Sequence, residues 1–280
     1  MSWRLRIEHI TTVTYAGPVL ASFNEARMTP MTLPTQATLE AHVAVGPGTV
    51  PVWSYDDYWG TRVSAFDLPE AHDDLRIRAT ATVETTAPRT RAALSWDAIG
   101  QAAARGRLEE FRLPTPLTTL APEMAGSGVR VVRELPPAIA AERISARVRD
   151  RVAFVPGATG VRTGAQEAWD KGQGVCQDIA HVTVALLRAA GLPARYVSGY
   201  LHPNPRAEPG GTAAGQGHAW VEYWAGQWSP LDPTTGVPVA ERHVVVARGR
   251  DYDDVPPLKG VYDGPRRTGM EVTVEVTRLA

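Results

Sequence analysis

The sequence predicts an α+β fold, in which a β-rich N-terminal domain is followed by a core that packs a buried, cysteine-bearing helix on an antiparallel sheet. Three observations lead to this prediction. Polar and apolar residues alternate along the first segments of the chain, with the period of two that is typical of strands. Residues 176–190 are apolar almost all round at helical spacing, as in a buried helix. Alternating segments separated by turn residues then continue to the end of the chain.

Residues 1–88 are predicted to form the β-rich N-terminal domain. The segments SWRLRIEHITTVTYAG, TLEAHVAVGPG and LRIRATATVETTAP alternate with period two, and the last two end in turn residues. The segment SYDDYWGTRVSAFDL is typical of a hairpin, with Gly60 near its turn. Together these patterns indicate a mostly antiparallel β unit.

Residues 89–137 are predicted to connect this domain to the core and to be partly helical. SWDAIGQAAARGRLEEF can form a helix capped by Ser95, whereas the Pro-rich RLPTPLTTLAPEMAGSG favours an extended connection. Residues 138–280 are predicted to be the core, which opens with an amphipathic helix in PPAIAAERISARVRDRVAFVPG. A loop is expected over residues 202–217 because they are rich in Gly and Pro.

Charge and composition argue against several classes of function. The 280 residues include 29 Lys and Arg and 30 Asp and Glu, a net charge of −1, so no nucleic-acid partner is expected. The first residues lack the apolar core of a signal peptide, and the longest apolar run is broken by Arg188 and too short to cross a bilayer. One cysteine cannot form an internal disulfide. We therefore expect a soluble cytoplasmic protein with no membrane partner.

Cys176, the only cysteine, falls at the start of the predicted buried helix. Gly172 and Gly174 before it suit a tight turn, and Gly191 and Pro193 mark the end of the helix. The unpaired N–H groups and the positive dipole end at a helix start favour a thiolate. A lone free cysteine is also commonly a small buried apolar side chain. This segment by itself leaves both interpretations open.

A thiol nucleophile needs a base beside it and a group that orients the base. His181 lies about 140° round the helix from Cys176, so it is expected to be structural. The segments GHAWVEYW and SPLDPTTG, joined by AGQ in a tight hairpin, bring His218 and Asp232 to one end of a sheet that can face the helix start. Each of these two residues alone is more commonly structural. Their order after the cysteine favours a functional site.

The segments GVCQDIAHVTVALLRAAGLPARYVSGY, GHAWVEYW and LDPTTG together resemble the bacterial transglutaminase-like superfamily, whose core is papain-like. TVTYAGPVLASFNEARMTP and DDYWGTRVSAFDL are similar to the β-rich N-terminal region that accompanies this core, and HVVVARGRDYDDVPPLKGVYDG is similar to its C-terminal continuation. The resemblance implies a triad in which Cys176 is the nucleophile, His218 the base and Asp232 the residue that orients the base. Gly217 stands where Ser commonly precedes the histidine, a departure that leaves the triad intact.

The expected chemistry is acyl transfer through a thioester, with a peptide or protein as substrate. The backbone N–H of Cys176 is the expected first donor to the oxyanion. The other candidates for oxyanion or substrate contacts are Gln173, Tyr200, Trp220, Asn24, Glu25, Asp251 and Tyr252. No cofactor and no metal is expected, because one cysteine and scattered histidines lack the usual ligand spacings.

Three functions stay open on the sequence. The first is a thiol enzyme, with hydrolysis slightly favoured over amine transfer because water needs no second binding site. The second is a non-catalytic peptide-binding or scaffold module of the same fold, against which the intact Cys, His and Asp argue. The third is a metal-dependent hydrolase that uses His218, Asp232 and Cys176, which the ligand set disfavours.

Overall fold

The computed structural model describes residues 2–88, 94–106, 108–215 and 217–280, without the side chains of residues 127–131. Parts of three predicted segments therefore lie outside the described residues. They are position 1 of the N-terminal domain, positions 89–93 and 107 of the connecting segment, and position 216 of the predicted loop.

The N-terminal part of the chain is built of strands, as predicted. They are β1 (Ser2–Val19), β2 (Ala21–Ala26), β3 (Gln36–Gly46), β4 (Trp53–Asp56), β5 (Arg62–Leu68) and β6 (His72–Thr86). Buried side chains alternate with exposed or half-buried ones along β1 and β6, because one face of each strand packs on the core. The predicted hairpin is β4–β5, in which Asp56 pairs with Arg62 and Gly60 takes a positive φ of 77°.

Between β6 and the next large sheet, the described residues form five α-helices and two short strands. They are α1 (Trp96–Ala103), α2 (Pro122–Val132), α3 (Pro137–Arg151), β7 (Ala153–Phe154), α4 (Ala165–Lys171), β8 (Gln173–Gly174) and α5 (Cys176–Ala189). Ser95 caps α1, as predicted, since its Oγ accepts the Ala98 N–H at 3.3 Å. The prediction of an extended Pro-rich connection is wrong for α2 and for a 3₁₀ turn at Pro116–Thr118. Proline is tolerated at the first position of a helix, where its missing N–H would have no partner.

After α5, the described residues contain seven strands. They are β9 (Ala194–Leu201), β10 (Thr212–Gly215), β11 (Gly217–Trp224), β12 (Trp228–Leu231), β13 (His243–Gly249), β14 (Leu258–Asp263) and β15 (Arg267–Arg278). The prediction of a loop over residues 202–217 is wrong at β10. This short strand has no alternation of its own and is formed by pairing with β15.

Three larger sheets organise these strands. The first has the order β10-β15-β1-β6-β3, the second β12-β11-β9-β13 and the third β14-β2-β5-β4. The last two strands of the chain thus return to the N-terminal strands: β15 pairs with β1, and β14 pairs with β2. The division of the chain at residues 88 and 137 stays a prediction.

The main core lies between α5 and one face of β9 and β11. Ile179 and Leu187 of α5 are buried there together with Ala219 and Val221 of β11, and the cluster continues to Leu5 of β1. This arrangement confirms the α+β prediction of a buried helix on an antiparallel sheet. In the described parts of the chain no helix combines the length and the apolar character that crossing a bilayer demands.

Candidate active site

Cys176 is the first residue of α5, and a short turn fixes its position. Its half-buried side chain carries a free thiol. Asp178 Oδ2 accepts the Val175 N–H at 2.7 Å and the Thr159 hydroxyl at 2.5 Å, so this carboxyl caps the helix. Gly174 leaves room for this carboxyl, because a Cβ at position 174 would lie only 2.8 Å from Asp178 Oδ2. The turn therefore presents the thiol at the positive end of the helix dipole.

His218 and Asp232 meet at the end of the hairpin formed by β11 and β12. The Nε2–H of His218 donates to Asp232 Oδ2 at 2.9 Å. The other donors to Asp232 are the N–H groups of Thr234 and Thr235, at 3.0 and 3.1 Å from Oδ1, and the Thr235 hydroxyl, at 2.7 Å from Oδ2. Because Nε2 is held by Asp232, Nδ1 is the ring nitrogen left for Cys176, whose side chain interacts with the His218 ring.

Both members of this pair have strongly shifted pKa values. Burial alone would lower the pKa of His218, but hydrogen bonds with Asp232 and Cys176, and the charges of both, raise it to about 9. Burial alone would raise the pKa of Asp232, but the hydrogen bonds from His218 and His243 hold it far below its usual range. At neutral pH the site therefore contains an imidazolium paired with a carboxylate.

His181 has the structural role expected for it. Its side chain is fully buried in α5, and its Nε2 accepts the backbone N–H of Tyr252 at 3.1 Å. Burial, assisted by the charge of Arg188, lowers the pKa of His181 to about 3, so the ring stays neutral. It anchors the segment around Tyr252 to α5 rather than serving the thiol.

Comparison with known families finds a match in each of two parts of the chain. Residues 129–233 match the family model of the transglutaminase-like superfamily, and residues 5–84 match the bacterial transglutaminase-like N-terminal region. The chain belongs to the transglutaminase-like superfamily. The core match contains Cys176, His218 and Asp232.

The chain is also similar to individual proteins. An uncharacterised protein of Mycobacterium leprae is 40% identical over 99% of this chain and 100% of its own length. The crystal structure of a candidate cysteine protease from Cytophaga hutchinsonii covers 100% of this chain and 92% of its own, with 22% identity and a TM-score of 0.81, and shows the fold. A protein-glutamine gamma-glutamyltransferase of Pseudomonas aeruginosa is 39% identical over 83 residues, which are 28% of this chain and 12% of that protein.

Within the transglutaminase-like core, the other candidate residues lie in different surroundings. Trp220 is fully buried on β11, and its ring stacks on His218 with centroids 5.8 Å apart. Gln173 is exposed in β8. Tyr200 is buried, and its hydroxyl interacts with His9 Nδ1 at 2.8 Å, on an N-terminal strand. The structure thus brings Trp220 to the histidine and ties Tyr200 to β1.

The candidates outside the core match hold turns and strands together. Asn24 and Glu25 lie in β2 of the transglutaminase-like N-terminal region, and Glu25 accepts the Tyr55 hydroxyl at 2.6 Å. Asp251 is buried and accepts the Asp253 N–H at 2.8 Å, which caps a 3₁₀ turn. Tyr252 begins that turn and packs half-buried against the main core. Their assignment to a substrate pocket stays a prediction.

The sequence did not single out two residues of this transglutaminase-like site. Tyr196 of β9 is buried, and its pKa is raised well above the usual value by burial and then by the charge of Cys176, which places it near the thiol. His243 Nε2 lies 3.3 Å from Asp232 Oδ2. Both residues stand in strand patterns that are fully explained by packing, so only the order of the strands in the sheet could have identified them.

Among the described residues, His218, Asp232 and His243 form a group whose ligand atoms lie within 4.8 Å of one another, a spacing that could hold a metal ion. The metal alternative drawn from the sequence used Cys176 in place of His243. Here both histidines donate to Oδ2 of Asp232, which already accepts the Thr235 hydroxyl. A metal would have to displace these hydrogen bonds, so the arrangement fits an orienting carboxylate better than a metal ligand.

Proposed function

We propose that this chain is a thiol-dependent acyl-transfer enzyme that acts on amide bonds of peptides or proteins through Cys176, His218 and Asp232. The proposal is carried by the position of His218, whose ring contacts the buried Asp232 through Nε2 and interacts with the Cys176 side chain. A ring that stays protonated up to about pH 9 stabilises a thiolate beside it. The start of α5 adds a favourable dipole.

The proposed reaction passes through a thioester. The thiol proton resides on His218 Nδ1 in the proposed thiolate–imidazolium pair, and Sγ of Cys176 attacks the carbonyl carbon of the amide. The negative charge on the carbonyl oxygen is stabilised by the Cys176 N–H at the helix start. The imidazolium then gives its proton to the departing amine, and the C–N bond breaks. Water or a primary amine, losing a proton to His218, attacks the thioester and releases a carboxylic acid or a new amide.

The first test measures how Cys176 reacts with iodoacetamide between pH 5 and 10. As the sole cysteine, it is the only thiol to be alkylated. We expect fast alkylation near pH 6, well below the free-thiol pKa of about 8.5, because the raised pKa of His218 keeps the ring protonated beside the sulfur. Above about pH 9 the imidazolium loses its proton, and its contribution to the alkylation rate is lost.

Two variants complete this experiment. His218→Ala is expected to slow alkylation near pH 6, because the paired cation is lost. His9→Ala, which removes a buried histidine bonded to Tyr200, is the matched control and is expected to react like the wild type. A wild-type rate that simply follows an ordinary thiol titration would contradict the enzyme proposal and support a non-catalytic peptide-binding module.

The second test separates hydrolysis from amine transfer. A glutamine-containing peptide is incubated with the protein, with and without a primary amine, and the products are weighed by mass spectrometry. We favour hydrolysis and expect a deamidated or cleaved peptide in both samples. A product that carries the amine and replaces the hydrolysed peptide would instead identify a transglutaminase. The variant Cys176→Ala is expected to give neither product.

A further inference from the structure

We infer that His243 is a positioning residue of this site, which acts on His218 by holding Asp232; the inference rests on the proposed function. His243 begins β13 and is buried. Its Nε2 lies 3.3 Å from Asp232 Oδ2, the same oxygen that accepts from His218 Nε2 at 2.9 Å. Two histidines from different strands therefore share one carboxylate oxygen.

The sheet brings the two histidines together from opposite sides of β9. In the order β11-β9-β13, His218 pairs with Gly199, and His243 pairs with Leu201. The ring of Trp220 lies close to both, with centroids 5.8 Å from His218 and 5.5 Å from His243. Trp220 and Asp232 are both buried, and a hydrogen bond to a carboxylate is stronger where water is excluded.

The hydrogen bonds of His243 decide its tautomer. The backbone N–H of Ala240 donates to Nδ1 of His243 at 3.1 Å, so Nδ1 carries a lone pair. The proton of the neutral ring must then lie on Nε2, where it points at Asp232. Nδ1 also lies 3.3 Å from the Ala240 carbonyl oxygen, but that oxygen already accepts the backbone N–H of His243 at 3.0 Å, and the shorter contact from the Ala240 N–H decides the tautomer. His243 is therefore a donor to the carboxylate and not an acceptor.

The charged and titratable groups that face His243 are Asp232, Arg242 and His218. Burial lowers the pKa of His243, and the hydrogen bond to Asp232 only partly opposes this effect, so the ring is neutral at neutral pH. The two histidines that contact Asp232 thus differ in charge. His218 is protonated and interacts with Cys176, whereas His243 is neutral and donates its Nε2–H to the carboxylate.

With His243, Asp232 accepts five hydrogen bonds, two on Oδ1 and three on Oδ2. Oδ1 accepts two backbone N–H groups from Thr234 and Thr235, and Oδ2 accepts the Thr235 hydroxyl and both histidines. Donors on both oxygens restrain the rotation of the carboxylate, and the carboxylate in turn orients the His218 ring, whose Nδ1 is left for Cys176. Without His243, Oδ2 loses one of its three donors, and we expect the carboxylate and the His218 ring to be held less firmly.

A double-mutant cycle tests this inference by the iodoacetamide rate of Cys176 at pH 6. His243→Leu, which fills the space but removes the donor, is expected to lower the rate by about tenfold. His243→Gln, whose amide N–H reaches the same direction, is expected to recover most of this loss. In an Asp232→Asn background, His243→Leu is expected to change the rate by less than about twofold, because the carboxylate through which His243 acts is absent.

His9→Leu is the matched control for the loss of a buried histidine, and thermal unfolding of every variant reports stability separately. A rate in His243→Leu equal to or above that of the wild type, or an undiminished loss in the Asp232→Asn background, would overturn the inference alone. An ordinary thiol titration in the wild type would overturn the proposed function and this inference together. If His243→Leu does not fold, the folded His243→Gln variant is used in its place. An alkylation rate in His243→Gln no higher than that in Asp232→Asn would then overturn the inference.

Discussion

Replacing Asp232 with asparagine is expected to lower amide turnover by about 10³–10⁴-fold while the fold is kept. The asparagine Oδ1 can still accept the N–H groups of Thr234 and Thr235. Its Nδ2 then stands where His218 Nε2–H needs an acceptor. The ring must therefore take the other tautomer, with its proton on Nδ1, and it can no longer accept the thiol proton of Cys176. Mass spectrometry of the peptide products measures the loss.

Asp57→Asn is the matched control for this substitution. Asp57 also accepts two backbone N–H groups on one oxygen, from Trp59 and Thr61, and a charged donor on the other, from Arg27. The two substitutions therefore disturb similar hydrogen bonds, one inside and one outside the proposed site. We expect Asp57→Asn to retain turnover near the wild-type rate. Equal losses in the two variants would mean that Asp232 contributes only to stability.

Replacing Gly199 with alanine is expected to destabilise the fold by about 3 kcal/mol or more. A Cβ at this position would lie 2.0 Å from the Val244 carbonyl oxygen and 2.6 Å from Cη2 of Trp220. The first of these atoms belongs to the backbone of the paired strand β13, so it cannot move aside without breaking the sheet. Urea unfolding, followed by fluorescence, measures the loss.

Gly217→Ala provides the control, because Gly217 lies in the neighbouring strand β11 with no atom within 4 Å of its Cβ position. Its free energy of unfolding is expected to change by less than about 1 kcal/mol. A mild effect at Gly199, comparable to that at Gly217, would show that the strands β9 and β13 can separate more easily than their packing indicates.

The main features of the site could be predicted because they are local. The start of α5 is marked by glycines and a buried helical pattern, and the hairpin that carries His218 and Asp232 is short enough to be recognised in sequence. His243 and Tyr196 could not be predicted in this way. Their positions depend on β9 lying between β11 and β13, an order that no local pattern contains.

The errors in the predicted fold arise either from contacts with distant strands or from residues whose local pattern is ambiguous. The strand β10 exists only because β15, which follows it by many residues, pairs with it. The helix α2 begins with a proline, and Pro-rich segments are typical both of extended connections and of helix starts. In both cases the local sequence permits two structures, and contacts from elsewhere in the chain decide between them.

The pairing of β1 with β15 also has a consequence for how the protein is made. During synthesis β1 leaves the ribosome before the other described strands, and β15 leaves it after them. One edge of β1 therefore waits for its partner for roughly tens of seconds at ordinary translation rates. Unpaired backbone groups on such an edge attract other chains. We therefore expect the nascent N-terminal strands to be open to such association until β15 pairs with β1.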